Sequence, residues 1–187
     1  MSKELKKRGK ALEDQFFIAR ERQALAQLRA ERQQQETKAA LSNLTMVKKE
    51  EVLNDLVREG IDVETFAAIK LVPLVLVAWV DNVVQESERE AVLAAANKQG
   101  IGNGCAVYEM LNQWLQERPS AGLKSSWLDF MNEYVEHLSA SEKKAWEEEI
   151  LGSSQDVAEA SGGWFFGFGA VSAAQQQLID ELHAVFI

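Results

Sequence analysis

Cysteine, proline and histidine are scarce in this chain of 187 residues, and each scarcity removes a class of reading. A single cysteine, Cys105, rules out an intramolecular disulfide and any cysteine-rich metal centre. It reads as a small buried apolar side chain rather than a catalytic thiol. Two prolines and eleven glycines, set among long stretches with helical spacing, argue against an all-β or disordered chain. The two histidines, His137 and His183, have no His or Cys neighbours at ligand spacing, so each reads as an ordinary surface or satisfied core residue. Long apolar runs are also missing. The longest, Leu71 to Val80, has ten residues including Pro73, about half of the ~20 that a membrane span needs. The N-terminus is charged where the apolar stretch of a signal peptide would sit. These absences lead to the expectation of a cytoplasmic protein with no membrane span.

Charge is present in quantity but unevenly placed. Residues 1–40 hold 10 Lys/Arg and 6 Asp/Glu, a net +4; residues 41–187 hold 10 and 23, a net −13. An acidic body repels phosphate backbones, which argues against nucleic-acid binding. The basic segment is rich in Glu, Arg, Gln and Ala, strong helix formers. On it Leu5, Leu12 and Phe16 share one helical face, and Phe17, Ala24 and Leu28 form a second stripe. So polar a helix does not make a core element; it lies on the body, pairs with a partner or projects. The expected organisation is a charged amphipathic N-terminal helix over 1–40 and an all-helical domain over 41–187.

Within that domain the periodicity predicts about seven helices. Gly60 stops the first of them, which covers Lys49 to Glu59. Asp62 caps a long buried helix reaching about Val80, in which Pro73 frees a carbonyl near Ile69 and introduces a bend. Ser87 and Glu90 form a capping box for the next, which runs to about Lys98. Further helices cover Ala106 to Glu117, a stretch from Ser125 or Ser126 through Leu138, and an acidic segment opened by Ser141 and followed by a short helix near Gln155 to Ala160. Ser153 and Ser154 read as turn residues and the Glu147-Glu148-Glu149 run as a solvated face. The glycine- and aromatic-rich Gly163 to Gly169 reads as a loop buried against the body rather than a ligand site. A last capping box, Ser172 with Gln175, opens the terminal helix.

Candidate chemistry concentrates between Trp79 and Leu93. Aligned to a calcium-binding EF-hand loop, Asp81 takes position 5, Asn82 the glycine position, Val84 position 8 and Glu88 position 12. Positions 1 and 3 fall on Val77 and Trp79, which cannot supply carboxylate oxygens, so a high-affinity calcium loop is excluded. A similar layout recurs at the end of the chain, where Gly169, Val171, Ser172 and Gln175 align with Asn82, Val84, Gln85 and Glu88. No phosphate loop and no Ser/His/Asp or Cys/His layout accompanies either stretch.

The words Ala78-Trp-Val-Asp81-Asn-Val-Val-Gln-Glu86-Ser-Glu88-Arg-Glu90 and Gly167-Phe-Gly-Ala-Val-Ser172 give the body a resemblance to the TerB-like, tellurite-resistance-associated helical family, over residues 50–187. The resemblance implies a non-enzymatic module in stress response or scaffolding without an organic cofactor. It singles out Asp81, Glu86, Glu88 and Glu90 as candidate ligands of a weakly bound divalent cation. Asn82 stands where that family prefers Gly, and Gln175 where an acidic partner would be needed. Separately, Lys7 to Arg29 resembles the inhibitor protein of rotary ATP synthases, without its histidine-rich continuation. That resemblance implies a regulatory module whose helix docks on a protein partner such as an ATP synthase, or on itself, through Leu12, Phe16, Phe17 and Leu28.

Overall fold

A computed structural model describes residues 3–161 and 171–187, with side chains over 15–160 and 171–187. The chain is all-α: among the described residues there are eight α-helices and no strand. The N-terminal helix, α1 (Lys3–Thr45), is continuous across residue 40 and leads into a compact bundle of seven more. Residues 15–36 of α1 are exposed throughout, while Lys38, Leu41 and Thr45 are buried. Only the last two turns of α1 therefore dock, packing against α2 (Glu50–Arg58). Lys38 reaches Glu50 at 3.4 Å, which gives its buried ammonium an anionic partner.

Val52, Leu53 and Leu56 form the buried stripe of α2. That helix ends in a Schellman turn: Gly60 sits at φ +81°, its N–H bonds the Val57 carbonyl, and the Ile61 N–H bonds that of Leu56. Asp62 Oδ1 accepts from the N–H groups of Glu64 and Thr65, both at 2.9 Å, and so closes a turn rather than capping a helix; the helical segment that follows has Thr65 as its N-cap. The long helix expected after Asp62 is instead two pieces, a 3₁₀ turn (Phe66–Lys70) and α3 (Val72–Ala78). Pro73 decides the break. It is tolerated in the first turn of a helix but not in an interior. The Ile69 carbonyl is bonded by the Trp127 indole N–H at 2.8 Å, in a fully buried contact. Every residue of α3 except Leu76 is buried, and it touches α4 to α8, making it the central element.

Around it stand α4 (Glu86–Lys98), α5 (Ala106–Gln116), α6 (Leu123–Tyr134), α7 (Ala140–Ser161) and α8 (Ala173–His183). Several boundaries differ from those read in the sequence. The α6 helix begins at Leu123, because Leu123 and Ser126 already belong to its buried face. The α7 helix is opened by Ser139 rather than Ser141. Ser139 and Glu142 form the capping box there, and the hydroxyl and then the N–H of Ser139, both donating to the Glu142 carboxylate, hold it below its usual range. It then runs 22 residues without interruption, absorbing the separate short helix expected near Gln155. Gly152, Ser153 and Ser154 lie inside it rather than in a turn, since Ile150, Ser154, Val157 and Ala158 share its buried face. Phe66, Phe130, Tyr134 and Trp146 pack as an aromatic cluster where the 3₁₀ turn, α6 and α7 meet.

Candidate functional site

The turn after α3 is built from its own side chains. Asp81 Oδ1 accepts the Val83 N–H at 3.1 Å, and Asn82 adopts the left-handed conformation at φ +70°. Asn is among the few residues other than Gly that enter this region readily. Arg118 donates to the Asn82 side-chain oxygen and ties the turn to the chain after α5.

The helix that follows starts two residues before the expected Ser87. Gln85 is its N-cap, and the carboxylate of Glu88, not of Glu90, accepts the Gln85 N–H at 2.9 Å. The reason is burial. Glu88 lies one turn before Val92 on the inward face and is only 1% exposed, so its carboxylate needs an internal donor. Burial pushes the Glu88 carboxyl above its ordinary value; the bond from Gln85 opposes this, and the nearby Asp81 charge adds to it.

Of the four residues singled out as cation ligands, Asp81, Glu86 and Glu90 are exposed and Glu88 points inward. The structure does not bring them together. Among the described residues no group of three or more His, Cys, Asp or Glu side chains stands where it could hold a metal ion.

The structure does bring together two residues that the sequence only aligned. At the start of α8, Ser172 and Gln175 form the expected capping box: Gln175 Oε1 accepts the Ser172 N–H at 3.0 Å, and Ser172 Oγ accepts the Gln175 N–H at 3.2 Å. Gln175 thus occupies on α8 the position Glu88 occupies on α4. Both are buried, and Gln175 Nε2 reaches Glu88 Oε1 at 3.4 Å. The expected repeat becomes a back-to-back pair of helix starts. Gly169 and the aromatic segment Gly163 to Gly169 lie outside the described residues.

Other candidates fall to structural roles. Cys105 is half-buried just before α5 rather than fully buried. His183 contacts Glu147, and His137 is exposed. Trp79 donates its indole N–H to the Trp114 carbonyl at 2.7 Å beside a cavity of about 560 Å³ that Pro119 and Leu178 also line.

The remaining candidate surface is α1. Phe16 and Phe17 are each 63% exposed and Leu28 61%, with Ile18 and Leu25 close to half exposed. Phe17, Ala24 and Leu28 fall on one face, flanked by Ile18 and Leu25, and Phe16 turns away from it, at about 100° per residue. The side chain of Leu12 lies outside the described ones. Where α1 enters the body, a groove of about 240 Å³ runs between Gln33, Glu36, Thr37 and Ala40 on the helix and Val63 and Glu64 opposite. It adjoins a cavity of about 630 Å³ with a mixed lining, in which Leu44, Val63, Phe66 and Trp146 stand beside the Lys70–Glu149 ion pair. Sequence reasoning missed both hollows, since they arise from how α1 sits against the loop before the 3₁₀ turn.

Compared with known proteins, the chain matches no family model, no curated protein and no solved structure. Among the described residues no helix is long and apolar enough to cross a membrane.

Proposed function

We propose that this protein is a non-catalytic helical interaction module, a scaffold of the TerB-like kind, whose projecting helix α1 is the element that recruits a partner. One observation carries the reading: Phe17, Ile18, Leu25 and Leu28 are held exposed along a helix none of whose residues between 15 and 36 is buried. Apolar anchors at this spacing suit insertion of a helix face into a groove of another protein. A patch of this kind marks an interaction site more often than a monomer surface. The acidic turn supports less. With Asp81, Glu86 and Glu90 apart and Glu88 engaged by Gln85 and Gln175, weak cation binding draws no support from the geometry.

The test is crosslinking and capture in cell extract with full-length protein against the variant Phe17→Glu/Leu28→Glu. Proteins retained by the wild type and lost with the variant are the expected result. Identical sets from the two would remove the reading. The inhibitor-like role is a narrower version of the same proposal, and rotary ATPase preparations whose hydrolysis is unchanged by the full-length protein would remove that version alone.

A further inference from the structure

Leu76 is the one residue of the central helix α3 that the body does not bury. It is left uncovered where α3, the chain between α5 and α6, and α8 enclose the cavity of about 560 Å³. That volume is in the range of small-molecule pockets, roughly 300–1,000 Å³. The lining divides by exposure. Leu76, Trp79, Val80, Pro119 and Leu178 are apolar and half-buried. The Trp79 indole N–H is already engaged by the Trp114 carbonyl, so this side chain offers the cavity ring carbon alone. Arg118, Ser120 and Ala121 are exposed, and Lys124 is half-buried beside them.

Charge sets this hollow apart from the others. Among the described residues its lining holds two cations, Arg118 and Lys124, and no Asp or Glu. By contrast, the groove at the root of α1 is lined by Glu36, Asp62 and Glu64, and the cavity beside Trp146 by Glu64 and Glu149 as well as its lysines. Residues 41–187 carry 23 Asp/Glu against 10 Lys/Arg, so a wall with cations and no carboxylate runs against the composition. The Arg118 guanidinium donates to the Asn82 side chain and meets no carboxylate among the described residues. Its remaining donors form a fork that matches a carboxylate. Lys124 bonds Glu181 at 2.6 Å and Ser120 bonds Glu59 at 2.8 Å, and both of these acids stand outside the lining. Ser120, Ala121 and Lys124 also flank Gly122, the N-cap of α6, which has no side chain to accept from the first-turn N–H groups. The partial positive charge of a helix start has the same sign as the two side chains.

We infer that this cavity binds a small organic anion, a carboxylate carried on an apolar alkyl or aryl body. The body lies against Leu76, Trp79 and Leu178, and the carboxylate sits at the exposed end on Arg118, with Lys124 beside it. A neutral molecule of the same shape leaves Arg118 without an anion, and a cation is repelled. None of these residues belongs to α1, so the inference and the proposed recruitment by the arm stand or fall separately.

The probes are octanoate and naphthoate, titrated into the full chain by calorimetry. At least one is expected to saturate a single site, with octanol and octyltrimethylammonium each at least about tenfold weaker than octanoate if octanoate is the binder, and naphthalene likewise weaker than naphthoate. Arg118→Gln is expected to weaken the anion by about tenfold, and Lys124→Gln in the same direction. Ala121→Trp, at an exposed position of the rim, is expected to abolish binding by filling the mouth, with a circular dichroism melt showing that the chain still folds. Lys98→Gln, beside the other large cavity, is expected to change nothing. No binding of either anion, equal affinity for the uncharged analogue, or a loss with Lys98→Gln instead of Arg118→Gln would each overturn the inference. Binding seen only after Trp164, Phe165, Phe166 and Phe168 are replaced by serine would overturn it as well, because the occupant would then be the chain's own aromatic segment.

Discussion

Glu88 is the residue at which sequence and structure give different meanings to the same carboxylate. As the twelfth position of an EF-hand-like loop it would face a cation; in the fold it faces inward, accepting from Gln85 and Gln175. Its proton is bound more tightly in the folded chain than in the unfolded one, because burial penalises the charged form. The unfolded state therefore loses this proton first as pH rises. Between the ordinary value near 4.5 and the higher folded value, the protonated group's contribution to stability is progressively lost. Glu88→Gln keeps a side-chain oxygen for the Gln85 N–H but removes the ionisation. The variant should match the wild type below that window in urea unfolding and gain on it as pH rises through the window. Parallel stability profiles from pH 4 to 8 would show that the carboxyl is not shifted.

At the scale of elements, hydrophobic spacing made the helices legible, whereas their starts depended on packing. Three boundaries placed on serines, Ser87, Ser125 or Ser126, and Ser141, moved upstream in the fold to Gln85, Gly122 and Ser139 as N-caps or their equivalents. Local capping chemistry offers several serines with an acidic residue nearby, and tertiary burial selects among the frames. Gln85 carries no strong capping signal of its own. It caps because Glu88 must turn its buried carboxylate back on the backbone. Pro73 was the opposite case in one respect: although a bend was expected where the helix divides in two, its missing N–H made the freed carbonyl near Ile69 legible. What could not be read was the donor that would satisfy it, since Trp127 lies 58 residues away. That contact makes Trp127 more than an apolar filler. Trp127→Phe retains an aromatic ring but strands the Ile69 carbonyl in the core, at a cost of about 1–3 kcal/mol beyond the smaller ring's packing loss. Chemical denaturation should show the midpoint falling with an unchanged slope. A midpoint within error of the wild type would mean that another group satisfies the carbonyl.

For the molecule as a whole, the decisive division runs within α1, not at its end. The candidate surface at Phe16, Phe17 and Leu28 was legible because a helix so polar had nowhere to bury itself. The hollows at its root were not, because they are formed by Val63, Phe66 and Trp146 from distant parts of the chain. Residues 15–36 are exposed throughout, only Gln33 and Glu36 among them edging the groove against the body, whereas Leu41 and Thr45 are sealed within it. Stability thus rests on the last stretch of the helix, and the proposed recruitment on the stretch before it. A chain starting at residue 31 should keep the body's thermal midpoint within about 2 °C, the range expected when only surface contacts are lost from a domain of this size. A chain starting at residue 46 loses Leu41, the Thr45 hydroxyl bond to the Leu41 carbonyl and the Lys38 contact with Glu50 together. Removing a fully buried leucine alone costs about 2–5 kcal/mol, so this second truncation should unfold at a much lower temperature. Circular dichroism melts of the two truncations against the full chain separate the cases. If the truncation at residue 31 melted as early as the one at residue 46, the exposed arm would have to be a structural part of the body.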